Sequence, residues 1–383
     1  MKILFYDMGS YTAQDIIYHL EKSGHSCKTL YYHFANKYED PFFCERFLKE
    51  LKKANYDIVF SVNFFPLVAQ LCYDQRIRYV SWSYDSPLDA DFQNYFSYDT
   101  NYIFLFDRME VLEYQAKGYD QVFHLPLAVH TERLDSLQFT PIQQAKYSAD
   151  ISFVGQLYNS PLDTLLYQAD EETRGYIEGI LQAQLRVYGY YFIDELITDE
   201  LLEKINHSIH STVQLNPRGL SYAIASQITH MERSFLLEQM GGLFDIKFYS
   251  TQPHTFPTPV QICGPVKYFT EMPAIFRYSK LNLNPTLRSI RSGIPLRALD
   301  IMGSKGVLFS NYQPELAEYF EDGRDVIMYG SMEDAFEKAA YYLQHEELLH
   351  EIARNGYEIT KNLFHYPTRI NQIVNTINKE NYE

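Results

Sequence analysis

The stretch Asn282 to Asn311, NLNPTLRSIRSGIPLRALDIMGSKGVLFSN, reads as a loop, a short helix and a buried strand. Ser292-Gly293-Ile294-Pro295 is the turn, and Pro295 suits the first helical position because its missing N–H would be unsatisfied there in any case. Leu296, Leu299 and Met302 recur at three-residue steps as one apolar stripe, and Gly303 closes the helix. Val307-Leu308-Phe309 follows as a strand. The helix therefore aims its unpaired N–H groups at a glycine-bearing loop, an arrangement that accepts anions. Arg297 and Asp300 lie three apart on one helix face, with Arg288 and Arg291 just upstream. Cations for phosphates and a carboxylate for ribose hydroxyls would suit a nucleoside diphosphate. The alternative is an amphipathic helix with an ordinary Arg297–Asp300 pair.

Outward from this stretch, strands and helices alternate. In the first third, strands are expected at Ile3–Tyr6, Cys27–Tyr32, Asp57–Val62, Arg78–Ser83, Tyr102–Phe106 and Val122–Leu125. Helices are expected at Thr12–Ser23, Glu45–Ala54, Pro66–Asp74 and Arg108–Lys117. Such alternation means a parallel sheet with right-handed crossovers, whose ligands gather at the carboxyl ends of strands. Those ends carry Asp7-Met8-Gly9, Asn63, Tyr84-Asp85-Ser86-Pro87 and Asp107-Arg108. Thr131 to Tyr147 is polar without a strong period and reads as an interdomain linker. Asp150 to Gly155 opens a second sheet, followed by helices within Pro161–Asn206, a helix at Glu232–Met240 and strands at Phe244–Tyr249, Val260–Cys263 and Leu281–Leu283. The closing helices are Pro314–Phe320, Met332–Gln344, Glu346–Tyr357 and Pro367–Asn378.

The phrases "LNLNPTLR", "GIPLRALDIMG" and "FSNYQPEL", all between Leu281 and Leu316, resemble the donor-binding element of two-Rossmann-domain (GT-B) glycosyltransferases. More closely, they resemble the spore-maturation (CgeB-like) glycosyltransferases of bacteria. "YDIVFSVNFFP", "YVSWSYDSPL", "FLFDR" and "LPLAV" in the first third resemble the N-terminal half of the same family. The resemblance implies an α/β GT-B fold of two Rossmann-like domains facing a central cleft. An acceptor-side domain would span 1–147, and a nucleotide-sugar domain 148–366 with a helical insertion at about 161–230; a final helix, 367–383, would cross back to the first domain. It implies a donor site made of Gly155, Asn284, Arg288, Arg291, Ser292, Gly293, Ile294, Arg297, Asp300 and Glu315. Gly155 there would let the backbone approach the donor phosphates. The chain departs from the wider set of retaining enzymes, which carry two glutamates bracketing the loop: the first position is Gly293 and the second Asp300. Gln156-Leu157-Tyr158-Asn159 also lacks the basic residue many of those enzymes place after the first strand.

Composition fits a large folded enzyme. The chain has 383 residues, 46% hydrophobic, with 49 acidic against 33 basic residues and a formal charge of −16. Such an acidic excess argues against nucleic acid or an anionic membrane as principal partner, since neither would gain from counterion release. Cys27, Cys44, Cys72 and Cys263 are widely separated, indicating neither a zinc site nor a disulfide framework, so a reducing cytoplasm is the expected setting. The opening Met1-Lys2-Ile3-Leu4-Phe5 reads directly as a strand rather than a leader, and no apolar run reaches membrane-spanning length.

Sugar transfer needs the leaving phosphates neutralised, the sugar oriented and the acceptor hydroxyl brought close. Asp85, in a Tyr-Asp-Ser-Pro turn at a strand end, is the first candidate for a general base; the competing reading has its carboxylate cap the turn. Asp7 is the second, or else orders the Gly9-Ser10 loop. Asp89-Ala90-Asp91 has the spacing of a manganese-binding triplet, but acidic residues are common at helix starts, and no metal is expected. Glu315 could bind a hydroxyl or favour its own helix N-terminus. His365 reads as a structural contact, and His207-Ser208-Ile209-His210 as solvated helix surface.

The leading expectation is a metal-independent, cytoplasmic glycosyltransferase that moves a sugar from a nucleotide diphosphate donor to a protein, glycan or lipid-linked acceptor. The resemblance implies a UDP-linked donor and no other cofactor. A sugar-nucleotide epimerase of the same architecture and a non-catalytic nucleotide-sugar-binding protein are the alternatives. A dehydrogenase is excluded, because the loop Asp7-Met8-Gly9-Ser10 lacks the three-glycine fingerprint.

Overall fold

Two parallel sheets account for the alternation, one in each half of the chain. The computed structural model describes residues 1–89, 92–167, 169–208 and 214–379. They form two units, Met1–His130 with Gly293–Leu296 and the chain from Asn362 onward, and Thr131–Ser292 with Arg297–Lys361.

In the first unit the strands are β1 (Lys2–Asp7), β2 (Ser26–Tyr31), β3 (Ile58–Val62), β4 (Arg78–Ser83), β5 (Asn101–Leu105) and β6 (Val122–His124). Their order is β2-β1-β3-β4-β5-β6, and every pairing is parallel. Helices cover both faces, so the central strands carry near-continuous apolar runs, all of Ile58-Val59-Phe60-Ser61-Val62 being buried, while edge strand β2 is largely exposed. Because β1 lies between β2 and β3, the crossovers leave it in opposite directions, and a crevice opens at the carboxyl ends of β1 and β3. Phe5 and Phe60, register partners on those strands, stack at 5.3 Å. The final helix, Tyr366–Lys379, packs on the first, Ala13–Lys22, where Tyr366 stacks on His19 at 5.2 Å.

The second unit repeats the plan with β7 (Ala149–Val154), β8 (Ile246–Tyr249), β9 (Val260–Ile262), β10 (Ser279–Asn284), β11 (Leu308–Asn311) and β12 (Ile327–Tyr329). The order β12-β11-β10-β7-β8-β9 is again parallel throughout, and its reversal falls between β7 and β10. Phe153 and Phe248, partners on β7 and β8, stack at 5.6 Å. Between β7 and β8 runs a helical insertion with its own core of Leu162, Ile177, Ile180, Ile193, Ile205, Leu220, Ile224 and Ile228.

Several boundaries differ from expectation for local reasons. The helix expected from Glu45 spans Pro41–Leu51, because the Asp40 carboxylate accepts the Phe43 N–H and Pro41 takes the first position. The supposed linker carries helices at Thr131–Ser136 and Pro141–Tyr147, the latter with a Thr140/Gln143 capping box. The helix expected at Glu232–Met240 runs from Pro217 to Gly241. Its first half buries Leu220, Ile224 and Ile228 in the insertion core and its second half Leu236, Leu237 and Met240 against the sheet, so no single stripe runs its length. The helix expected to end at Tyr357 continues to Leu363. Strand β12 and the helix Met272–Tyr278 were not expected at all. After the helix Leu296–Gly303 the left-handed residue is Lys305, with φ 65°. Among the described residues no helix is long and apolar enough to cross a membrane.

Candidate active site

The reversal between β7 and β10 brings together Gly155 at the end of one strand and Pro285 at the end of the other. Arg233, from the long helix Pro217–Gly241, spans them: its Nη1 donates to the Gln156 carbonyl at 2.5 Å and its Nε to the Pro285 carbonyl at 3.0 Å. Its guanidinium also lies over the rings of Phe153 and Tyr158, at 5.2 and 4.9 Å. The Arg297 guanidinium sits against Gly155, where a Cβ would stand 3.2 Å from its Nη1. A side chain at 155 would push that guanidinium back by a few tenths of an ångström.

Neither arginine has a carboxylate within ion-pair distance among the described residues, and Arg297 makes no hydrogen bond there. Burial pushes the Arg233 guanidinium down to about 10, with Tyr158 offsetting and Arg297 adding to the effect. Burial likewise lowers Arg297, with Tyr158 and Asp300 offsetting part. Two cations are therefore gathered at the carboxyl ends of the sheet with no carboxylate at ion-pair distance among the described residues, and a bound anion would relieve both.

Asp300, 6% exposed, accepts a hydrogen bond from the Tyr268 hydroxyl at 3.1 Å. The loop between β10 and the helix Leu296–Gly303 is tied down from β11 by alternating side chains. Asn311 Oδ1 accepts the Thr286 N–H at 2.6 Å, Gln313 Nε2 donates to the Ile290 carbonyl at 3.1 Å, and Glu315 accepts from the Ser292 hydroxyl at 2.8 Å. The phrase "FSNYQPEL" is thus the clamp of the loop.

This geometry corrects several assignments. Glu315 is 1% exposed and its carboxylate holds Ser292. Asn284 is buried between strands, its Nδ2 3.3 Å from Ser310 Oγ. Arg288 is buried and committed: its Nε donates to Glu232 at 2.9 Å, its Nη1 to the Val187 carbonyl at 3.1 Å, and its guanidinium lies 4.0 Å from the Tyr188 ring centroid. Tyr188 and Tyr329 donate to the same Glu232 at 3.0 and 3.1 Å. Arg291 stands 3.9 Å from Asp194 of the insertion. Gly293 and Ile294 are buried, and Gly293 belongs by packing to the first unit, where a Cβ would meet the Phe106 ring at 2.7 Å and the Phe106 carbonyl at 2.8 Å. Glycine at 293 therefore answers a steric demand.

In the first unit, Asp7 Oδ1 accepts the N–H groups of Gly9 and Ser10 at 2.8 and 3.0 Å, so this carboxylate orders its loop. Asp85 is placed otherwise. The turn around it is held by the buried Glu110, which accepts from the Ser86 hydroxyl at 2.8 Å and the Leu88 N–H at 2.7 Å. Asp85 opens to solvent and accepts one side-chain hydrogen bond, from Asn63 at 2.6 Å. Partial burial holds its carboxyl above the ordinary value, the Asn63 bond offsetting part of the rise.

Of the remaining motifs, Asp89 pairs with Lys37 at 2.6 Å, while Ala90 and Asp91 lie outside the described residues, as does His210. His207 Nδ1 bonds the Glu203 carbonyl at 2.7 Å and His365 Nε2 the Thr368 hydroxyl at 2.9 Å. Sequence reasoning missed Arg233 and Tyr268. The one available signal for Arg233 was the adjacent charged pair Glu232-Arg233 inside an otherwise apolar helical stretch.

Residues 233–375 match the family described as "Glycosyl transferase-like". Among solved structures, the chain is similar to the Anabaena HepE protein in complex with UDP-glucose, with TM-score 0.58 and 10% identity over 99% of this chain and 100% of that one. It is similar to a glycosyltransferase from Rickettsia africae, with TM-score 0.56 and 10% identity over 99% and 98%. It is also similar to the sucrose-phosphate synthase of Thermosynechococcus elongatus, with TM-score 0.55 and 10% identity over 99% and 98%. No curated protein matches this chain. The fold is GT-B, with two Rossmann-like halves.

Proposed function

We propose that the protein is a glycosyltransferase that takes a sugar from a nucleoside diphosphate donor and passes it to a hydroxyl of a protein, glycan or lipid-linked acceptor. One observation carries the reading: at the β7/β10 reversal the Arg297 guanidinium stands against Gly155 and that of Arg233 against the Gln156 and Pro285 carbonyls, neither with a carboxylate partner among the described residues. A diphosphate supplies the missing anion, and both cations would gain as negative charge builds on it when the sugar departs. Asp300, three residues beyond Arg297 on the same helix, would receive the ribose hydroxyls, with Tyr268 fixing its orientation. Asp85 is the base assigned to the acceptor hydroxyl, in preference to Asp7, whose Oδ1 accepts the Gly9 and Ser10 N–H groups.

In this reading the arginines do what a metal does in other glycosyltransferases, and no cofactor is used. UDP is the first nucleotide to test, because a structural relative was solved with UDP-glucose. Isothermal titration should show UDP binding in the presence of EDTA. Arg297→Ala should weaken it about tenfold to a hundredfold, the worth of one or two charge-assisted hydrogen bonds. Unchanged affinity in that variant would remove the arginine from the site. Product analysis with each bound donor and no acceptor separates transfer from epimerisation, since only an epimerase changes the sugar under those conditions.

A further inference from the structure

We propose that Asn63 is a positioning residue, whose side-chain amide holds the Asp85 carboxylate in the one orientation in which it serves the acceptor hydroxyl. The proposal rests on the reading of Asp85 as the base.

Asn63 follows β3 at the crevice of the first sheet, with a left-handed φ of 66°. Asparagine is among the side-chain residues that adopt that conformation most readily, though glycine would adopt it at less cost. The surroundings here form a buried chain of hydrogen bonds. The Phe65 N–H donates to the Tyr79 hydroxyl at 3.0 Å, that hydroxyl to Ser61 Oγ at 2.7 Å, and Ser61 Oγ to the Asn63 carbonyl at 2.7 Å. The Asn63 N–H is fixed in turn by the Trp82 carbonyl at 3.0 Å. Both ends of the side-chain amide are engaged. Oδ1 accepts the N–H groups of Tyr84 and Asp85 at 2.8 and 3.3 Å, while Nδ2 donates to Asp85 Oδ2 at 2.6 Å. Reversing the amide would set oxygen against oxygen at Asp85, so this orientation is chemically decided.

Nor is the bond needed to shape the turn, which Glu110 already secures. Asparagine therefore stands where glycine would meet the backbone demand; what it adds is an Oδ1 that accepts the Tyr84 and Asp85 N–H groups and an N–H₂ group for one oxygen of Asp85, and only the latter is lost in Asn63→Asp. The other carboxylate oxygen accepts no hydrogen bond among the described residues and is left for an incoming hydroxyl. A donor at one oxygen favours the ionised carboxylate, the form a base requires.

The test compares the intact protein with Asn63→Gly, which keeps the backbone conformation and removes the amide, and Asn63→Asp, which sets a second carboxylate in its place. Carboxyl resonances of selectively labelled aspartates, with Asp85→Asn to assign the signal, give the titration of Asp85 directly. Asp85 should titrate at higher pH in Asn63→Gly and higher still in Asn63→Asp. The acid limb of the kcat profile should move up in parallel, with kcat below the limb falling about tenfold and donor KM unchanged. An Asp85 signal that titrates as in the parent in both variants overturns the role of Asn63. A displaced signal with an unmoved acid limb upholds the hold on the carboxylate and overturns the reading of Asp85 as the base.

Discussion

The Arg297 guanidinium lies so close over Gly155 that a Cβ at 155 would stand 3.2 Å from Nη1 and 3.3 Å from Cζ and Nη2. A helix that follows β10 thereby delivers its cation to the carboxyl end of β7, across the reversal of strand order. The two residues stand together at the proposed anion site, and each is open to a separate test.

Gly155→Ala should act through Arg297. The added methyl makes the guanidinium, the far end of a flexible side chain, yield by a few tenths of an ångström, so the fold survives while the cation is misplaced. UDP affinity should fall by about tenfold, the worth of roughly one charge-assisted hydrogen bond, with a modestly lowered melting temperature because the backbone at 155, φ +159°, is strained for a residue with a side chain. Calorimetric titration alongside a thermal melt reads both quantities. Parent-like affinity would mean that the diphosphate does not lie where Arg297 points.

Asp300 gives the second prediction. Asp300→Asn should weaken a ribonucleoside diphosphate more than its 2′-deoxy analogue, because the carboxylate is the acceptor assigned to the ribose hydroxyls. Tyr268→Phe removes the hydroxyl donated to Asp300 Oδ1 and should produce a smaller loss with the same ribose dependence. Equal losses for the two nucleotides would make the carboxylate purely structural.

How far the sequence disclosed this arrangement depends on what each residue answers to. The alternation of apolar runs with helical stretches was legible because the central strands are buried on both faces, as Ile58–Val62 is. Arg297, Asp300 and Gly155 were legible as candidates because a strand–loop–helix unit places such residues at a sheet's carboxyl edge. Arg288 was indistinguishable from Arg297 in sequence. Only the packing of the long helix showed that Glu232, 56 residues upstream, takes one and leaves the other. Arg233 and Tyr268 come from segments brought to the site by tertiary packing, and no local pattern announces such a meeting. Gly293 misled for a similar reason, since glycine in a loop is as suited to packing against Phe106 as to receiving a phosphate.

The Arg288–Glu232 pair yields a third prediction, on stability. Glu232 accepts from Arg288, Tyr188 and Tyr329, and neither member of the ion pair is more than 7% exposed. Glu232→Gln would leave a buried guanidinium uncompensated, at a cost of about 3–5 kcal/mol. Chemical unfolding should show a markedly lower midpoint. At denaturant-free, low temperature the folded fraction should still bind UDP with parent-like affinity, because Arg288 does not reach the phosphates. A selective loss of UDP binding in a fully folded variant would restore Arg288 to the donor site.

The last prediction sets catalysis against stability at Asp85. Partial burial raises the Asp85 carboxyl above its ordinary value, so the folded state holds that proton more tightly than the unfolded chain does. A group of this kind favours folding at low pH. Above its folded-state pKa the ionised form is the less favourable one in the native protein. Asp85→Asn should therefore raise the melting temperature slightly at neutral pH, and the gain should vanish as pH falls below the ordinary aspartate range near about 4. Turnover should drop by about a hundredfold or more, the usual contribution of a general base, while UDP affinity stays close to that of the parent. If the carboxylate served to hold its turn, the same substitution would lower the melting temperature at neutral pH. The Glu110 bonds to Ser86 and Leu88 argue for the opposite sign. Thermal melts from pH 4 to 8, run beside steady-state kinetics, distinguish the two, and a destabilised variant with unaltered turnover would end the catalytic assignment.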